Sequence, residues 1–489
     1  MRLFRPALAA FALSAPVIVV AQTPAPPADP AVIAARERQA KETAADYADM
    51  QRQLGITSMR PGPSGNPSAP NAANSDETKA NPFADIPDIL ASRHGGRVTN
   101  AAAWSRRRTE LLEDFSREVY GRVPRDVPRV TWREVRRVSM IVAGQPVLGR
   151  ELIGHADNRR APSIDVDITL MLVTPAAATR PVPLVIMFRG GGLPGDPPPP
   201  MPAGFRPPTP QPGDDPPGTE QLIAAGWGYA FLNPSSVQAD NGAGLTRGIV
   251  GLTNRGGRRQ PEDWGSLRAW AWGASRALDH LSTDPSLDAS RVAIEGVSRY
   301  GKAALVTMAF DTRFAMGLIA SSGAGGAKLI RRTYGEAIEN LTGSGEYHWF
   351  AGRYLIYGAA APASVAKTPV DLPVDSHSLI ALCAPRRVFI SHGIPEKGDA
   401  HWIDQRGAWM ASLAAQPAWR LLGAKDLGVT EPWRTAPMPA VNQSLLDGDL
   451  AWRQHDGGHT DAPNWKHFIA WAGSDRKQDT GNRKQVGSR

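Results

Sequence analysis

The 489-residue sequence contains one cysteine, Cys383. A single thiol excludes an intramolecular disulfide and any cysteine-built metal centre, so stability must come from a buried core. No stretch beyond the N-terminus reaches the ~20 apolar residues needed to cross a bilayer. Histidines and carboxylates nowhere show the tight spacing of a metal site, and no blade-like repeat is visible. Net charge is +8, but Lys and Arg are scattered and no nucleic-acid motif accompanies them. Such charge favours solubility, or attraction at a distance to acidic polymers such as a uronate-bearing wall polysaccharide. Nothing in the pattern calls for a cofactor.

What the chain does contain is a large apolar share, 42%, and 14 tryptophans. That suffices for one large domain or two ordinary ones. Residues 1–21 read as a signal peptide: Arg2 and Arg5 precede an apolar run that ends in Val19-Val20-Ala21. Export to the periplasm or the medium follows, with no membrane attachment after cleavage. Residues 22–82 are rich in Ala, Pro, Asn and Ser and are expected to form a disordered linker, apart from a short helix around Ala34–Leu54. Residues 476–489 read as a disordered polar tail.

Between these ends, over 83–475, strand and helix patterns alternate. Leu184–Phe188 (LVIMF) is continuously apolar, as in a strand buried on both faces. Ser266–Leu281 shows helical spacing, with Leu267, Trp270, Ala271, Ala274, Leu278 and Leu281 on one face. The alternation predicts a mostly parallel central sheet covered by helices on both sides, a three-layer α/β sandwich. Two irregular insertions interrupt it, at 192–218 (dense in Pro and Gly) and at 236–260, and both are expected above the strand ends.

The chemistry is concentrated at Gly296-Val297-Ser298-Arg299-Tyr300-Gly301. This G-x-S-x-x-G run follows a strand, RVAIE, and precedes a helix, KAALVTMAF. That is the setting of the nucleophile elbow of α/β-hydrolases, where small neighbours let a strained turn lift a serine hydroxyl out at a helix N-terminus. Ser298 is therefore the expected nucleophile, and the backbone N–H of Arg299 can face a developing oxyanion. Chain order in this fold runs serine, acid, histidine. His459, in HDGGHTDAPNW between the last strand and the last helix, is the expected base. The acid falls in VFISHGIPEKGDAHW, where either Glu396 or Asp399 could orient the imidazole; Glu396 is preferred.

The segment GVSRYGK resembles the G-C-S-R-x-G-K signature of the glucuronoyl esterases, carbohydrate esterase family 15. The resemblance extends to Gly323-Ala324-Gly325-Gly326, Trp349-Phe350, LIALCAPRRVFISHG, EKGDAHWIDQRG and the final GGH, and covers about 85–474. It implies a serine esterase that cleaves bonds between (4-O-methyl)glucuronic acid branches of xylan and lignin alcohols. The implied partner is thus a glucuronoxylan or lignin–carbohydrate ester, and a monomer is expected. By resemblance, Arg299 supports the oxyanion, Lys302 and Glu346 contact the sugar, and Trp402 lies beside the uronate. Two residues depart from the fungal pattern: Val297 replaces a disulfide-bonded cysteine, and Ser321 stands at the fungal acid position. The acid must then come from the Glu396/Asp399 loop. An acetyl-xylan or feruloyl-type esterase is the alternative. A peptidase of the prolyl-oligopeptidase type lacks its propeller here, and a catalytically dead binding module would not need a complete set of nucleophile, acid and base.

Overall fold

The computed structural model describes residues 30–82, 85–197 and 214–474. Its centre is a ten-stranded sheet. In chain order the strands are β1 (Val130–Val142), β2 (Gln145–Ala156), β3 (Asp167–Pro175), β4 (Val182–Phe188), β5 (Gly228–Leu232), β6 (Leu287–Val297), β7 (Met316–Ala320), β8 (Arg387–His392), β9 (Ser444–Leu445) and β10 (Leu450–Gln454). In space they run β9-β10-β8-β7-β6-β4-β5-β3-β2-β1. The six strands from β10 to β5 are mutually parallel, and antiparallel strands complete both edges.

The composition of the strands explains their places. β4 (VPLVIMF) and β7 (MGLIA) are buried at every residue, as strands covered on both faces must be. β1, at the open edge, exposes most of its residues and alternates charge with apolar side chains. One face of the sheet is covered by α3 (Ser266–Leu281) and α4 (Arg299–Phe310), which pack on one another and carry the main core with Trp264, Trp270 and Leu305, to which α2 (Ala101–Glu118) adds Trp104, Leu111 and Phe115. A smaller core on the other face gathers Phe389, Phe468 and Trp471 under the closing helix α6 (Trp465–Gly473). This is the expected three-layer sandwich, and the strand patterns Leu184–Phe188 and RVAIE fall within β4 and β6. The sequence reading missed one long helix, α5 (Gln405–Leu421). A proline at 417 inside it masks the helical pattern.

Two expectations require correction. The segment expected to be a disordered linker carries the helix anticipated near Ala34–Leu54, here 25 residues long, α1 (Pro30–Leu54), but the stretch after it is held on the domain. Ser58 and Met59 pair with Ala361 and Ala359. The Arg60 guanidinium binds Glu339 at 2.8 Å, and Glu77 binds the buried Arg332 at 2.7 Å. Only Asp46 and Met50 of α1 are buried. Polar contacts therefore hold much of the segment, and polar contacts leave no hydrophobic periodicity to read. The 236–260 insertion is likewise not structureless: it folds into a 3-10 turn at Gly242–Thr246 and a helix at Gly248–Thr253. The signal peptide, the polar tail and most of the 192–218 insertion lie outside the described residues.

Candidate active site

Four neighbouring parallel strands deliver the site at their C-terminal ends. Ser298 follows β6, Ser321 follows β7, Asp399 lies in the loop after β8, and His459 lies in the loop after β10. Ligand sites in open α/β sheets form along this edge.

Ser298 sits at φ 61° and ψ −131°, a conformation that L residues avoid. The elbow closes only because its flanks are bare. A Cβ on Gly296 would lie 2.2 Å from the Tyr300 carbonyl oxygen, and one on Gly301 2.7 Å from that of Ala320. The turn is pinned to the sheet by the Ser298 N–H, which donates to Ala320 at 3.0 Å. Ser298 caps α4, so the first-turn amides, that of Arg299 included, have no acceptor within the helix.

His459 Nδ1 is 2.8 Å from Asp399 Oδ1. A carboxylate only accepts, so Nδ1 carries the hydrogen and Nε2 keeps its lone pair. Asp399 is fully buried. Its other oxygen, Oδ2, accepts from Ser321 Oγ at 2.8 Å and from the Gly393 N–H at 2.7 Å. Burial alone would raise this carboxyl. The hydrogen bond from His459, the neighbouring His392 and the Ser321 hydroxyl outweigh it and hold Asp399 below the usual range. The two loops meet at glycines: a Cβ on Gly393 would lie 2.2 Å from the Gly458 carbonyl oxygen, and one on Gly458 2.2 Å from that of Lys397. The GG of the GGH segment is thus a close-approach requirement.

The preference for Glu396 over Asp399 is corrected by this geometry. Glu396 lies exposed on the 3-10 turn Pro395–Lys397. Gly398, at φ +99°, ends that turn and redirects the chain before Asp399, a bend that spacing alone does not reveal. Ser321, read only as a vacant acid position, donates the hydrogen bond that fixes Asp399 from the neighbouring strand.

Beside the elbow lies a second cluster, built from charges. The ring of Trp349 is flanked by Arg299, 5.1 Å from its centroid, and by Lys302, 5.4 Å away. Asp240, from the second insertion, accepts from Arg299 at 2.6 Å, from Trp349 Nε1 at 2.6 Å and from His348 Nε2 at 2.9 Å. Burial opposes ionisation of Asp240, but these donors and the Arg299 charge keep it low. Lys302 is buried, donating to the Ala324 carbonyl at 2.6 Å and to Glu336 Oε2 at 3.0 Å. Gly323, at φ +60°, makes room for the pair, because a Cβ there would approach Glu336 Oε2 to 2.7 Å.

Glu336, Asn340, Glu346 and Trp402 line a small cavity of about 150 Å³, walled on its far side by Pro63 and Ala73 of the N-terminal segment. Glu346 Oε2 is buried without a hydrogen-bond partner. Burial and the nearby Glu336 push this carboxyl up to about 7, against the pull of Lys302 and Arg299. Trp402 is half exposed at the mouth, its ring 6.3 Å from that of His459. The structure therefore gathers Ser298, His459, Asp399, Arg299, Lys302, Glu346 and Trp402 along one sheet edge and leaves Glu396 outside. Asp240 and Glu336 escaped sequence reasoning. Each is a lone acid in a loop, with no spacing that ties it to the elbow. Among the described residues no group of three or more His, Cys, Asp or Glu side chains is placed to hold a metal ion.

A family model described as "Glucuronyl esterase, fungi" matches residues 259–423. Among solved structures, a family 15 glucuronoyl esterase from Teredinibacter turnerae is 40% identical, with a TM-score of 0.77, covering 88% of this chain and 99% of that one. The chain belongs to the glucuronoyl esterases of carbohydrate esterase family 15. A glucuronoyl esterase from Solibacter usitatus is 31% identical with a TM-score of 0.68, covering 81% of this chain and 99% of that chain. The carbohydrate esterase MZ0003, from an unknown prokaryotic organism, is 29% identical over 431 residues, 82% of this chain and 92% of its own. Membership in this family agrees with the fold observed here and with the resemblance carried by GVSRYGK.

Proposed function

We propose that this protein is a serine esterase that hydrolyses esters of (4-O-methyl)glucuronic acid, including those joining xylan side chains to lignin alcohols. The observation that carries the reading is the buried Asp399 bound to His459, at the same end of the parallel sheet as the strained elbow of Ser298. A relative from Hypocrea jecorina, 27% identical over 360 residues, bears the name 4-O-methyl-glucuronoyl methylesterase. It supports the substrate class.

The steps follow from the geometry. Ser298 Oγ attacks the ester carbonyl carbon while His459 Nε2 takes its proton. Asp399 stabilises the imidazolium that results. The carbonyl oxygen becomes an oxyanion, met by the Arg299 N–H and by the Arg299 charge; these interactions strengthen only as charge develops, which is what raises kcat. His459 returns the proton to the leaving alcohol, and the acyl group stays on Ser298. Water, deprotonated by His459, then frees the uronate. An ester substrate has no carboxylate, so a ground-state salt bridge is not required. Lys302 and Glu346 contact sugar hydroxyls, and Trp402 covers the sugar at the mouth. Because Glu336 already neutralises Lys302, the lysine serves as a hydrogen-bond donor and not as a free charge.

Export through residues 1–21 and action as a monomer complete the proposal. No helix among the described residues is long and apolar enough to cross a membrane. Hydrolysis of benzyl glucuronate tests the reading: the wild type turns it over and Ser298→Ala does not. Turnover that survives Ser298→Ala contradicts it. Faster cleavage of acetylated xylan or feruloyl esters than of glucuronates would favour the alternative esterase.

A further inference from the structure

A groove of about 450 Å³ runs between α1 and the 242–258 stretch of the second insertion, a volume typical of small-molecule clefts. Four cations line it, Arg38, Lys41, Arg247 and Arg258, against two acids, Glu42 and Asp46. The acids and half of the cations are engaged. Arg247 pairs with Glu42 at 3.0 Å, Arg258 donates to the Ala45 carbonyl, and Asp46 accepts from Tyr347 Oη at 2.8 Å. Arg38 and Lys41 stand one helical turn apart on the same side of α1, exposed, with no carboxylate partner among the described residues.

The groove is joined to the active site through the chain on both of its sides. Asp240, which holds Arg299, leads directly into the 3-10 turn Gly242–Thr246 that forms one side. Tyr347, which anchors α1, adjoins Glu346 and His348. Gly242 has no room for a side chain, since a Cβ there would lie 2.3 Å from Tyr347 Oη. The Gly242–Thr246 turn and Tyr347 are thus packed against each other, which fixes α1 beside the cleft.

We propose that this groove is a second glycan subsite, taking the free carboxylate of another uronate branch on the same chain as the ester held at Ser298. A guanidinium and an ammonium left unpaired one turn apart suit a carboxylate, which Arg can bind through two parallel hydrogen bonds. A glucuronoxylan whose esters are only partly intact presents such carboxylates beside the scissile bond. The choice of a uronate rests on the esterase reading; the uncompensated charge of the groove does not.

The test is retention of the full-length protein on de-esterified 4-O-methylglucuronoxylan and on neutral linear xylan, at low salt. Arg38→Gln/Lys41→Gln is compared with Arg159→Gln/Arg160→Gln, a change of equal charge in another surface groove. The exposed positions of Arg38 and Lys41 leave the fold untouched, and benzyl glucuronate turnover stays within about twofold in both variants. The expected result is acidic xylan binding at least about threefold weaker in Arg38→Gln/Lys41→Gln, near wild-type binding in the control, and little binding of neutral xylan by any form. Equal loss in both variants, no loss in either, or equal retention on neutral xylan overturns the subsite. Failure of the esterase reading would appear separately, as no benzyl glucuronate turnover by the wild type, whatever the retention.

Discussion

The two halves of the cleft are built on opposite principles. On the base side, one buried carboxylate, Asp399, receives three donors from three different strand ends and is satisfied before any substrate arrives. On the sugar side, charges are paired with each other, the buried Lys302 with Glu336 and the exposed Arg299 with Asp240, while Glu346 keeps an oxygen without a partner. The first arrangement fixes a geometry; the second leaves a vacancy for hydroxyls. The difference teaches where to look for function in such a cleft. Chemistry sits where polar groups are fully satisfied and rigid, and recognition sits where one is left wanting.

Substitutions can break this contrast in order of expected size. Ser298→Ala removes the nucleophile and should lower kcat for benzyl glucuronate by about 10⁴-fold or more, with an unchanged circular dichroism spectrum. Asp399→Asn should cost about 10³- to 10⁴-fold in kcat, because an amide no longer fixes the imidazole tautomer. Glu396→Gln, three residues away, should stay within about twofold. Comparable losses in these last two variants would erase the distinction between an inward and an outward carboxylate.

On the sugar side the largest effect should fall on stability. Lys302→Met strands the buried Glu336 carboxylate, and breaking a buried pair from one side costs about 3–5 kcal/mol, readable as a lower urea midpoint. Glu346→Gln should act more gently and through pH. With its carboxyl at about 7 instead of the ordinary 4.5, folded protein keeps a proton that the unfolded chain has lost across that window. Stability contributed by this group therefore falls as pH rises from about 4.5 to 7, and Glu346→Gln should flatten that fall in Tm. The same variant should remove a change in KM near pH 7 while leaving the kcat profile alone. A kcat profile that moves instead would place Glu346 in the chemical step.

How much of this was legible follows from what each feature rests on. The elbow is a local steric solution, so Gly296, Ser298 and Gly301 announce it in six residues. The sheet is read from buried strands such as β4, whose apolar run has no other explanation. The choice between Glu396 and Asp399 was not legible, since it depends on a turn that buries one and exposes the other. Asp240 and Glu336 reach the site only through long-range folding of loops. The N-terminal segment was misread for a related reason: Arg60, Glu77 and Asp46 hold it through polar contacts with residues more than two hundred positions away.

The most direct test of the central claim is labelling with a fluorophosphonate, read by mass spectrometry of the digested protein and by the rate of adduct formation. A single adduct on Ser298, forming far more slowly in Asp399→Asn and at the wild-type rate in Glu396→Gln, is the predicted result. An adduct on another residue, or a rate that depends on Glu396 and not on Asp399, would contradict it.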